Sequence, residues 1–306
     1  MSKVIRIGTR DSELALWQAT TVQQKLDELG LNTQLVPVKS TGDLVLDKPL
    51  YELGITGIFT KTLDVALLKG DIDIAVHSMK DVPTQLPKGI VKAAVLERAA
   101  TQDILVHLGT DFLKGKGTIA TGSLRRKAQW LHRYPDHSVV DLRGNVNSRL
   151  LKLIENGWNG AIFAKAGLER IKLLPKDAVL LDWMTPAPAQ GAMLIVGLEK
   201  EKEILAQIEP LNHHKTDICT SIEREFLRTL EGGCTAPIGA LAEIKDQTVY
   251  FKGCLHSLDG QQQLETLKEC TIELVKDFGK QCALEILENG GKALMESIKD
   301  ELNTIH

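Results

Sequence analysis

The sequence predicts an α/β fold followed by a smaller α+β domain. Up to about residue 215, short β-branched runs alternate with amphipathic helical patterns, which is typical of α/β folds. Beyond that point the order changes to a helix, three strand-like runs and two more helical patterns. The chain has 306 residues, too many for one simple core, so we expect two or three domains.

Each element of the α/β part rests on a local signal. The strands are short runs rich in Val, Ile and Leu. They are expected at residues 4–7, 35–38, 72–76, 104–107, 118–121, 138–142, 161–164 and 193–198. A first helix should run from the N-cap residue Ser12 to the helix stop Gly30, and a second from Leu63 to Gly70. Three more helices should begin near residues 124, 146 and 166.

The C-terminal part predicts a small α+β domain. A helix at 221–230 precedes strands near 240–244, 248–255 and 264–273, with Asp259-Gly260 as a hairpin turn. Two final helices, at 277–288 and 292–302, are separated by Gly290-Gly291. The buried run at 193–198 could return the chain to the first domain. We therefore expect three domains, formed by residues 1–97 with about 190–212, by 98–189, and by 213–306.

Composition excludes several classes of protein. Lys and Arg number 37 against 40 for Asp and Glu, and the net charge of −3 argues against a general nucleic-acid-binding protein. The N-terminal residues lack a long apolar segment, and no run approaches the length of a membrane span. The cysteines are odd in number and include no Cys-x-x-Cys pair, so we expect free thiols, a reducing cytoplasm and no metal site.

Basic residues follow five of the predicted strands. In open α/β sheets, ligands bind beyond the carboxyl ends of the strands, where helix N-termini also point. The five segments are Gly8-Thr9-Arg10-Asp11-Ser12, His77-Ser78-Met79-Lys80-Asp81, Thr121-Gly122-Ser123-Leu124-Arg125-Arg126, Arg143-Gly144-Asn145-Val146-Asn147-Ser148-Arg149 and Lys165-Ala166-Gly167-Leu168-Glu169-Arg170. Each cation alone could be a solvated or ion-paired surface residue, but their recurrence favours an anionic ligand. No Walker or Gly-x-Gly-x-x-Gly pattern follows a strand, so a polycarboxylate is preferred over a phosphate.

Two side chains are candidates for the chemistry itself. Asp81 stands beside Lys80 at this cationic edge, where its carboxylate could hold a developing cation or move a proton. Its alternative role is to cap the turn before Val82-Pro83. Cys234 lies among Gly, Ala and Pro residues with little side-chain bulk, so a large group can approach its sulfur. An inert thiol in an ordinary turn is the alternative.

Taken together, these segments resemble the porphobilinogen deaminase family, also called hydroxymethylbilane synthases. The resemblance runs from Arg6 to about Gly260, and the ordered set of motifs is specific although each motif alone is weak. The motifs are Gly8-Thr9-Arg10-Asp11-Ser12-Glu13-Leu14-Ala15, Ala75-Val76-His77-Ser78-Met79-Lys80-Asp81-Val82-Pro83, Ser123-Leu124-Arg125-Arg126, Leu142-Arg143-Gly144-Asn145-Val146 with Arg149, Ala166-Gly167-Leu168 with Arg170, Gln190-Gly191-Ala192, and Glu231-Gly232-Gly233-Cys234 with Pro237-Ile238-Gly239.

The resemblance implies a fold and a reaction. The first two domains should resemble periplasmic binding proteins, with an active cleft between them and the cysteine loop reaching in from the third. Such enzymes of haem and chlorophyll biosynthesis join four porphobilinogen units head to tail, release ammonia each time, and free linear hydroxymethylbilane by hydrolysis. The chain grows on a dipyrromethane primer, which would be bound to Cys234 through a thioether. A cytoplasmic monomer that uses no metal, nucleic acid or membrane is expected.

The resemblance also assigns roles to residues. Asp81, assisted by Lys80, matches the catalytic carboxylate, which would bind pyrrole N–H groups, stabilise the cation left when ammonia departs and help move protons. With Asp81 and Cys234, the residues expected to bind the cofactor are Arg10, Ser12, Ser78, Lys80, Thr121, Ser123, Arg125, Arg126, Arg143, Gly144, Arg149, Arg170 and Gln190.

Some positions depart from the family pattern. Thr56 stands where Lys is usual, Thr62 where Glu is usual, and Lys165 where a small residue is usual. Residues 100–103, 120–123 and 187–189 also differ, the last reading Ala-Pro-Ala in place of Ala-Val-Gly. We expect these changes to affect substrate affinity and domain motion rather than the reaction.

Two other functions remain open from the residues alone. The first two domains could form a binding protein for a small polycarboxylate, which would need neither Asp81 nor an exposed cysteine. Alternatively, Cys234 could act as the nucleophile of an acyl-transfer enzyme, with His77 or His256 as its general base. Neither histidine lies in a recognisable cysteine-hydrolase signature.

Overall fold

The structure is a computed structural model that describes residues 4–38, 60–230 and 236–304. These residues divide into two compact units. The first unit comprises residues 4–38, 60–99 and 191–217, and the second comprises residues 100–190, 218–230 and 236–304.

Thirteen strands and nine α-helices are assigned within the described residues. The strands are β1 (Ile5–Thr9), β2 (Thr33–Pro37), β3 (Ile74–Ser78), β4 (Ile90–Val95), β5 (Asp103–His107), β6 (Thr118–Ala120), β7 (Ser138–Val140), β8 (Gly160–Ala164), β9 (Val179–Leu181), β10 (Met193–Leu198), β11 (Ile238–Lys245), β12 (Thr248–His256) and β13 (Gln263–Thr271). The helices are α1 (Glu13–Glu28), α2 (Lys61–Lys69), α3 (Leu124–Arg133), α4 (Val146–Glu155), α5 (Lys165–Arg170), α6 (Lys202–Ile208), α7 (His214–Thr229), α8 (Phe278–Ile286) and α9 (Lys292–Thr304).

The first unit is built on a five-stranded sheet in the order β2-β1-β3-β10-β4. Strand β1 is parallel to β2 and β3, whereas β10 runs antiparallel to β3 and β4. The core contains Ile7 of β1 and the α1 residues Val22 and Leu26, all three fully buried. Asp73, just before β3, accepts hydrogen bonds from the backbone N and the guanidinium of Arg6 in β1. The run at 193–198 thus returns to this sheet, as predicted.

The second unit contains a sheet with the same pattern of strand directions, in the order β7-β6-β8-β5-β9. Strand β6 is parallel to β7 and β8, and β5 is antiparallel to β8 and β9. Its two faces bury separate apolar clusters, one around Leu142 and Leu168 and the other around Trp130. In both sheets, therefore, the central parallel strands present their carboxyl ends along one edge.

The remaining residues of the second unit form an antiparallel sheet in the order β11-β12-β13, with helices α8 and α9 and the part of α7 from Ile218 onward. Phe226 of α7, Phe251 of β12 and Phe278 of α8 pack edge to face in its core. The predicted hairpin turn at Asp259-Gly260 is confirmed, since β12 pairs with β13 from His256 and Gln263 outward. Gly290, with a φ of +103°, separates α8 from α9.

Several elements differ from the sequence prediction. Helix α7 begins at His214, seven residues before the predicted start at 221. Strands β4 and β9 and helix α6 were not predicted: β9 and α6 are too short to show a period, and small alanines interrupt the apolar run of β4. Ser12 occupies the N-cap of α1 but makes no side-chain capping hydrogen bond. The division into three domains stays a prediction.

Candidate active site

Five of the predicted site residues lie at one sheet edge of the first unit. Strands β1 and β3 are parallel neighbours, with Gly8 opposite Ala75, so their carboxyl ends lie side by side. Arg10 and Ser12 follow β1, and Ser78 ends β3. Lys80 and Asp81 come next, in one turn of 3-10 helix. The chain order of these parallel strands therefore brings two cations, two hydroxyl groups and a carboxylate to a common edge.

Gln18, which the sequence analysis missed, links this edge to α1. Its side-chain nitrogen donates to Ser78 Oγ at 2.9 Å, and the residue is buried. Its signal in the sequence was a polar residue on the helix face that otherwise carries Ala15, Ala19 and Val22. Such a residue needs a hydrogen-bond partner when it is buried.

His77 lies directly behind this edge. It is buried, and its Nε2 atom has no hydrogen-bond partner among the residues that the structure describes. Burial, together with the positive charge of Arg10, lowers the pKa of His77 to about 4. The imidazole is therefore neutral near pH 7, and the cationic character of this edge comes from Arg10 and Lys80.

In the second unit, the loops after β6, β7 and β8 meet at one edge because these strands are parallel neighbours. The loop after β6 carries Thr121 and Ser123, and Ser123 caps α3 by accepting a hydrogen bond from the backbone N of Arg126. After β7, Asn145 caps α4 in the same way, with Ser148 N at 2.9 Å. Two capped helix N-termini thus begin at this edge, which favours bound anions.

Two positions in these loops must be glycine, because other atoms lie where a Cβ atom would stand. A Cβ atom on Gly122 would lie 2.7 Å from the carbonyl oxygen of Leu142. Gly144 has a φ of +113°, and a Cβ there would lie 2.2 Å from Ser148 Oγ. A larger residue would separate the two loops or distort the start of α4.

Arg125 and Arg126 lie in a buried ion-pair network centred on Asp103, the first residue of β5. Arg126 donates to Asp103 Oδ1 through Nε at 3.1 Å and Nη2 at 2.8 Å, and through Nη1 to the carbonyl oxygen of Ile162 at 2.8 Å. Arg125 Nη2 lies 2.8 Å from Asp103 Oδ2. Gln190 also donates to Asp103 Oδ1, at 2.9 Å. Three predicted ligand-binding residues thus share one internal carboxylate.

The other predicted cations are also partly or fully withdrawn from solvent. Arg143, after β7, is buried, and burial lowers its pKa while the nearby Asp141 raises it. Burial lowers the pKa of Arg170 to about 10, against the opposing effect of Glu169. Both groups remain cationic near pH 7. Arg149, in α4, is half-buried.

Some predicted residues lie outside the described residues. These are Cys234 with its neighbours 231–235, and Thr56. Of the alternative general bases, His77 lies in the first unit and His256 in the second. Burial and the charges of His132 and Arg125 lower the pKa of His256 to about 4.

Two models of one protein family match the chain. The model described as "Porphobilinogen deaminase, dipyromethane cofactor binding domain" matches residues 5–206. The model described as "Porphobilinogen deaminase, C-terminal domain" matches residues 218–288.

The chain belongs to the porphobilinogen deaminase family.

The sequence similarity to relatives in this family extends over nearly the whole chain. The porphobilinogen deaminase of Syntrophotalea carbinolica is 40% identical over 304 residues, which cover 97% of this chain and 96% of the relative. That of Chloroherpeton thalassium is 38% identical over 312 residues and 99% of each chain. The chloroplastic porphobilinogen deaminase of Oryza sativa subsp. japonica is 39% identical, covering 97% of this chain and 87% of its own.

Among solved structures, similarity is lower. A periplasmic substrate-binding protein of an ABC transporter from Coxiella burnetii is 15% identical, with a TM-score of 0.43, covering 72% of this chain and 96% of that one. The periplasmic VFT2 domain of BvgS from Bordetella pertussis is 12% identical, with a TM-score of 0.42, covering 68% and 86%.

Membership in the porphobilinogen deaminase family confirms the predicted enzyme class. The protein is a transferase of tetrapyrrole biosynthesis, a porphobilinogen-condensing hydroxymethylbilane synthase, and its cofactor is dipyrromethane. The two matching α/β sheets and the separate antiparallel sheet confirm the predicted fold class, an α/β fold followed by a smaller α+β part. No helix in the described part of the chain is long and apolar enough to cross a membrane.

Proposed function

We propose that the residues at the two sheet edges hold the dipyrromethane and the porphobilinogen units, and that Asp81 is the catalytic group. The observation that carries this proposal is the parallel pairing of β1 with β3, which puts Asp81 at the same edge as Arg10 and Lys80. A carboxylate among cations suits a reaction in which anionic substrates pass through a transient positive charge.

The residues fit the cofactor by the chemistry of their donors. Pyrrole rings that carry acetate and propionate groups need several cations and N–H donors for their carboxylates, and an acceptor for each ring N–H. In the second unit, Arg143, Arg170 and the capped N-termini of α3 and α4 would supply the cations and the N–H donors. In the first unit, the Asp81 carboxylate would supply the acceptor for the ring N–H groups. When bound, the cofactor provides the nucleophilic pyrrole carbon onto which new units are joined.

Asp81 would act in three ways on the reacting rings. Its Oδ atoms would accept a hydrogen bond from the pyrrole N–H and so orient the ring. The same negative charge would stabilise the positive charge that develops as ammonia leaves. An Oδ atom would then take the proton released from the α-carbon when the new bond has formed. Arg10 and Lys80, with Ser12 and Ser78, would hold the acetate and propionate groups.

Cys234 is the proposed point of covalent attachment, through a thioether. Intact-mass measurement of the purified protein tests this directly. We expect an excess mass equal to one dipyrromethane, absent from Cys234→Ala. A wild-type mass equal to that of the bare chain would contradict both the attachment and the use of this thiol.

Asp81→Asn tests the catalytic role, with Asp71→Asn as the matched control at an exposed position of the same unit. We expect Asp81→Asn to keep its fold and its cofactor mass but to consume porphobilinogen about 10²- to 10⁴-fold more slowly, the usual contribution of a positioned acid or base. Asp71→Asn should match the wild type. Normal turnover by Asp81→Asn would show that the proposed role is wrong.

We also propose a cytoplasmic monomer that acts on porphobilinogen and binds no nucleic acid. The four described cysteines, Cys219, Cys254, Cys270 and Cys282, are free thiols, which agrees with a reducing compartment. The net charge of −3 supports the absence of nucleic-acid binding. Size-exclusion chromatography with light scattering tests the oligomeric state, and a mass of twice 33.7 kDa would contradict the monomer.

A further inference from the structure

We propose that Asp103 is a positioning residue that holds the neighbouring side chains of Arg125 and Arg126 in the orientation needed to bind ligand carboxylates. The inference rests on the proposed function, because it assumes that these arginines face an anionic ligand. Asp103 itself touches no ligand in this proposal and acts through the two guanidinium groups.

The topology explains how Asp103 reaches this edge. Strand β5 runs antiparallel to β8, so its first residue lies opposite the last residue of β8, with Asp103 paired to Ala164. The N-terminal end of β5 therefore meets the edge where β6 and β8 end and where α3 begins. Asp103 is fully buried there, with 0% of its surface exposed.

A shared acceptor is needed because successive residues of a helix point in different directions. Each residue turns by about 100° from the one before, so the side chains of Arg125 and Arg126 diverge unless something draws them together. The two oxygens of Asp103 do this: Oδ2 forms an ion pair with Arg125, and Oδ1 accepts hydrogen bonds from Arg126. Further bonds to the carbonyl oxygens of Thr185 and Ile162, at 2.7 and 2.8 Å, fix the far ends of the two guanidinium groups.

The net charge of the cluster formed by Arg125, Arg126 and Asp103 indicates that Asp103 does more than neutralise the two arginines. Within the described residues, Asp103 is the only carboxylate at ion-pair distance from either arginine. Two cations with one anion leave a surplus positive charge on side chains that are only 5% and 7% exposed. Because this surplus positive charge lies at the N-terminus of α3, it favours the binding of an anionic ligand.

A further partner of Asp103, the side chain of Gln190, supports the same conclusion. Gln190 donates to Asp103 Oδ1 and, at 2.7 Å, to the carbonyl oxygen of Thr101. The side chains of Arg125, Arg126 and Gln190, which contact Asp103, all belong to residues that the family resemblance assigns to the ligand site. One carboxylate orders this whole group.

Asp103→Asn tests the inference, with Asp73→Asn as the matched control, since Asp73 is also a buried carboxylate bonded to an arginine. For Asp103→Asn we expect the KM for porphobilinogen to rise about tenfold or more while kcat changes less than threefold. The reason is that displaced guanidinium groups would lose charge-assisted hydrogen bonds to the ligand carboxylates. The fraction of protein that carries the cofactor mass should fall as well. Asp73→Asn should lower the melting temperature without changing KM.

A second readout does not depend on activity. Phenylglyoxal, which modifies arginines, should label the peptide containing Arg125 and Arg126 at least fivefold faster in Asp103→Asn than in the wild type. Unchanged labelling, or faster labelling with an unchanged KM, would overturn the inference. If the wild type neither consumed porphobilinogen nor carried the excess mass, the proposed function would fail, and unchanged labelling would still separately reject the role of Asp103.

Asp103→Glu serves if Asp103→Asn does not fold. It keeps the charge but moves the carboxylate by one methylene, so the guanidinium groups should shift and KM should rise with kcat retained. A wild-type KM for folded Asp103→Glu would show that the position of this carboxylate does not matter to binding, which is incompatible with the inference.

Discussion

Gly260 is a position where the cost of a single methyl group can be worked out from the structure. It lies at the tip of the β12–β13 hairpin and has a φ of +77°. A Cβ atom there would lie 2.4 Å from the carbonyl oxygen of Ala128 and 2.7 Å from the backbone N of His132, both in α3. The same turn accepts a hydrogen bond at 2.8 Å from His132 Nδ1 to the Gly260 carbonyl oxygen. We predict that Gly260→Ala lifts the hairpin from α3.

Three contributions set the size of the effect. A left-handed conformation costs an alanine about 1 kcal/mol. Overlap with the backbone of α3 adds about 1–3 kcal/mol, because a helix backbone cannot move aside as a flexible side chain can. Loss of the His132 hydrogen bond adds about 1 kcal/mol. The expected loss in the free energy of unfolding is therefore about 3–5 kcal/mol.

Gly157→Ala is the matched control. Gly157 belongs to the same unit and also has a positive φ, +59°, but no atom lies within 4 Å of the position of its Cβ. Only the conformational cost of about 1 kcal/mol should remain. Urea unfolding followed by tryptophan fluorescence suits the measurement, since Trp130, Trp158 and Trp183 all lie in this unit. Equal losses for the two variants would refute the close approach of the hairpin to α3.

Two further predictions concern buried ionisable groups. Glu223→Ala should destabilise the second unit by about 3 kcal/mol in urea unfolding, because the backbone N–H groups of Ala189 and Ala242 lose their carboxylate acceptor. The control Glu225→Ala, on the same helix, should lower the free energy of unfolding by less than about 1 kcal/mol. The folded-state pKa of His256, about 4, lies below its unfolded value of 6.5, so its neutral form stabilises the fold above pH 6.5 and this stability is lost as pH falls towards 4. Between pH 7 and pH 5 the free energy of unfolding should fall by about 2 kcal/mol because of this group. If the free energy of unfolding of His256→Gln fell as steeply as that of the wild type, the prediction would be wrong.

The sequence predicted the parts of this protein that depend on neighbouring residues. The strand before Arg10 and the helix stops at Gly30 and Gly70 follow from local periodicity and from the conformational freedom of glycine. The edge that carries Arg10, Lys80 and Asp81 could also be predicted, because parallel strands of an α/β sheet end on the same side. These signals lie within a few residues of the element that they define.

Partners distant in sequence could not be predicted. The run Asp103-Ile104-Leu105-Val106 predicted a strand, but nothing in it indicated that Asp103 would bond to Gln190, 87 residues away, and to two arginines of α3. Glu223 likewise showed a helical position and no sign that it would bind the backbone of Ala189, whose φ of +61° is unusual for alanine.

The sequence by itself determined the family, most of the strands and helices, and the set of cations and the one acid available for an anionic substrate. Tertiary structure decided which of those cations are held by an internal carboxylate and which are otherwise withdrawn from solvent. The physical reason is that a motif fixes the chemistry of its side chains, whereas burial and ion pairing depend on strands and helices that meet only when the chain has folded.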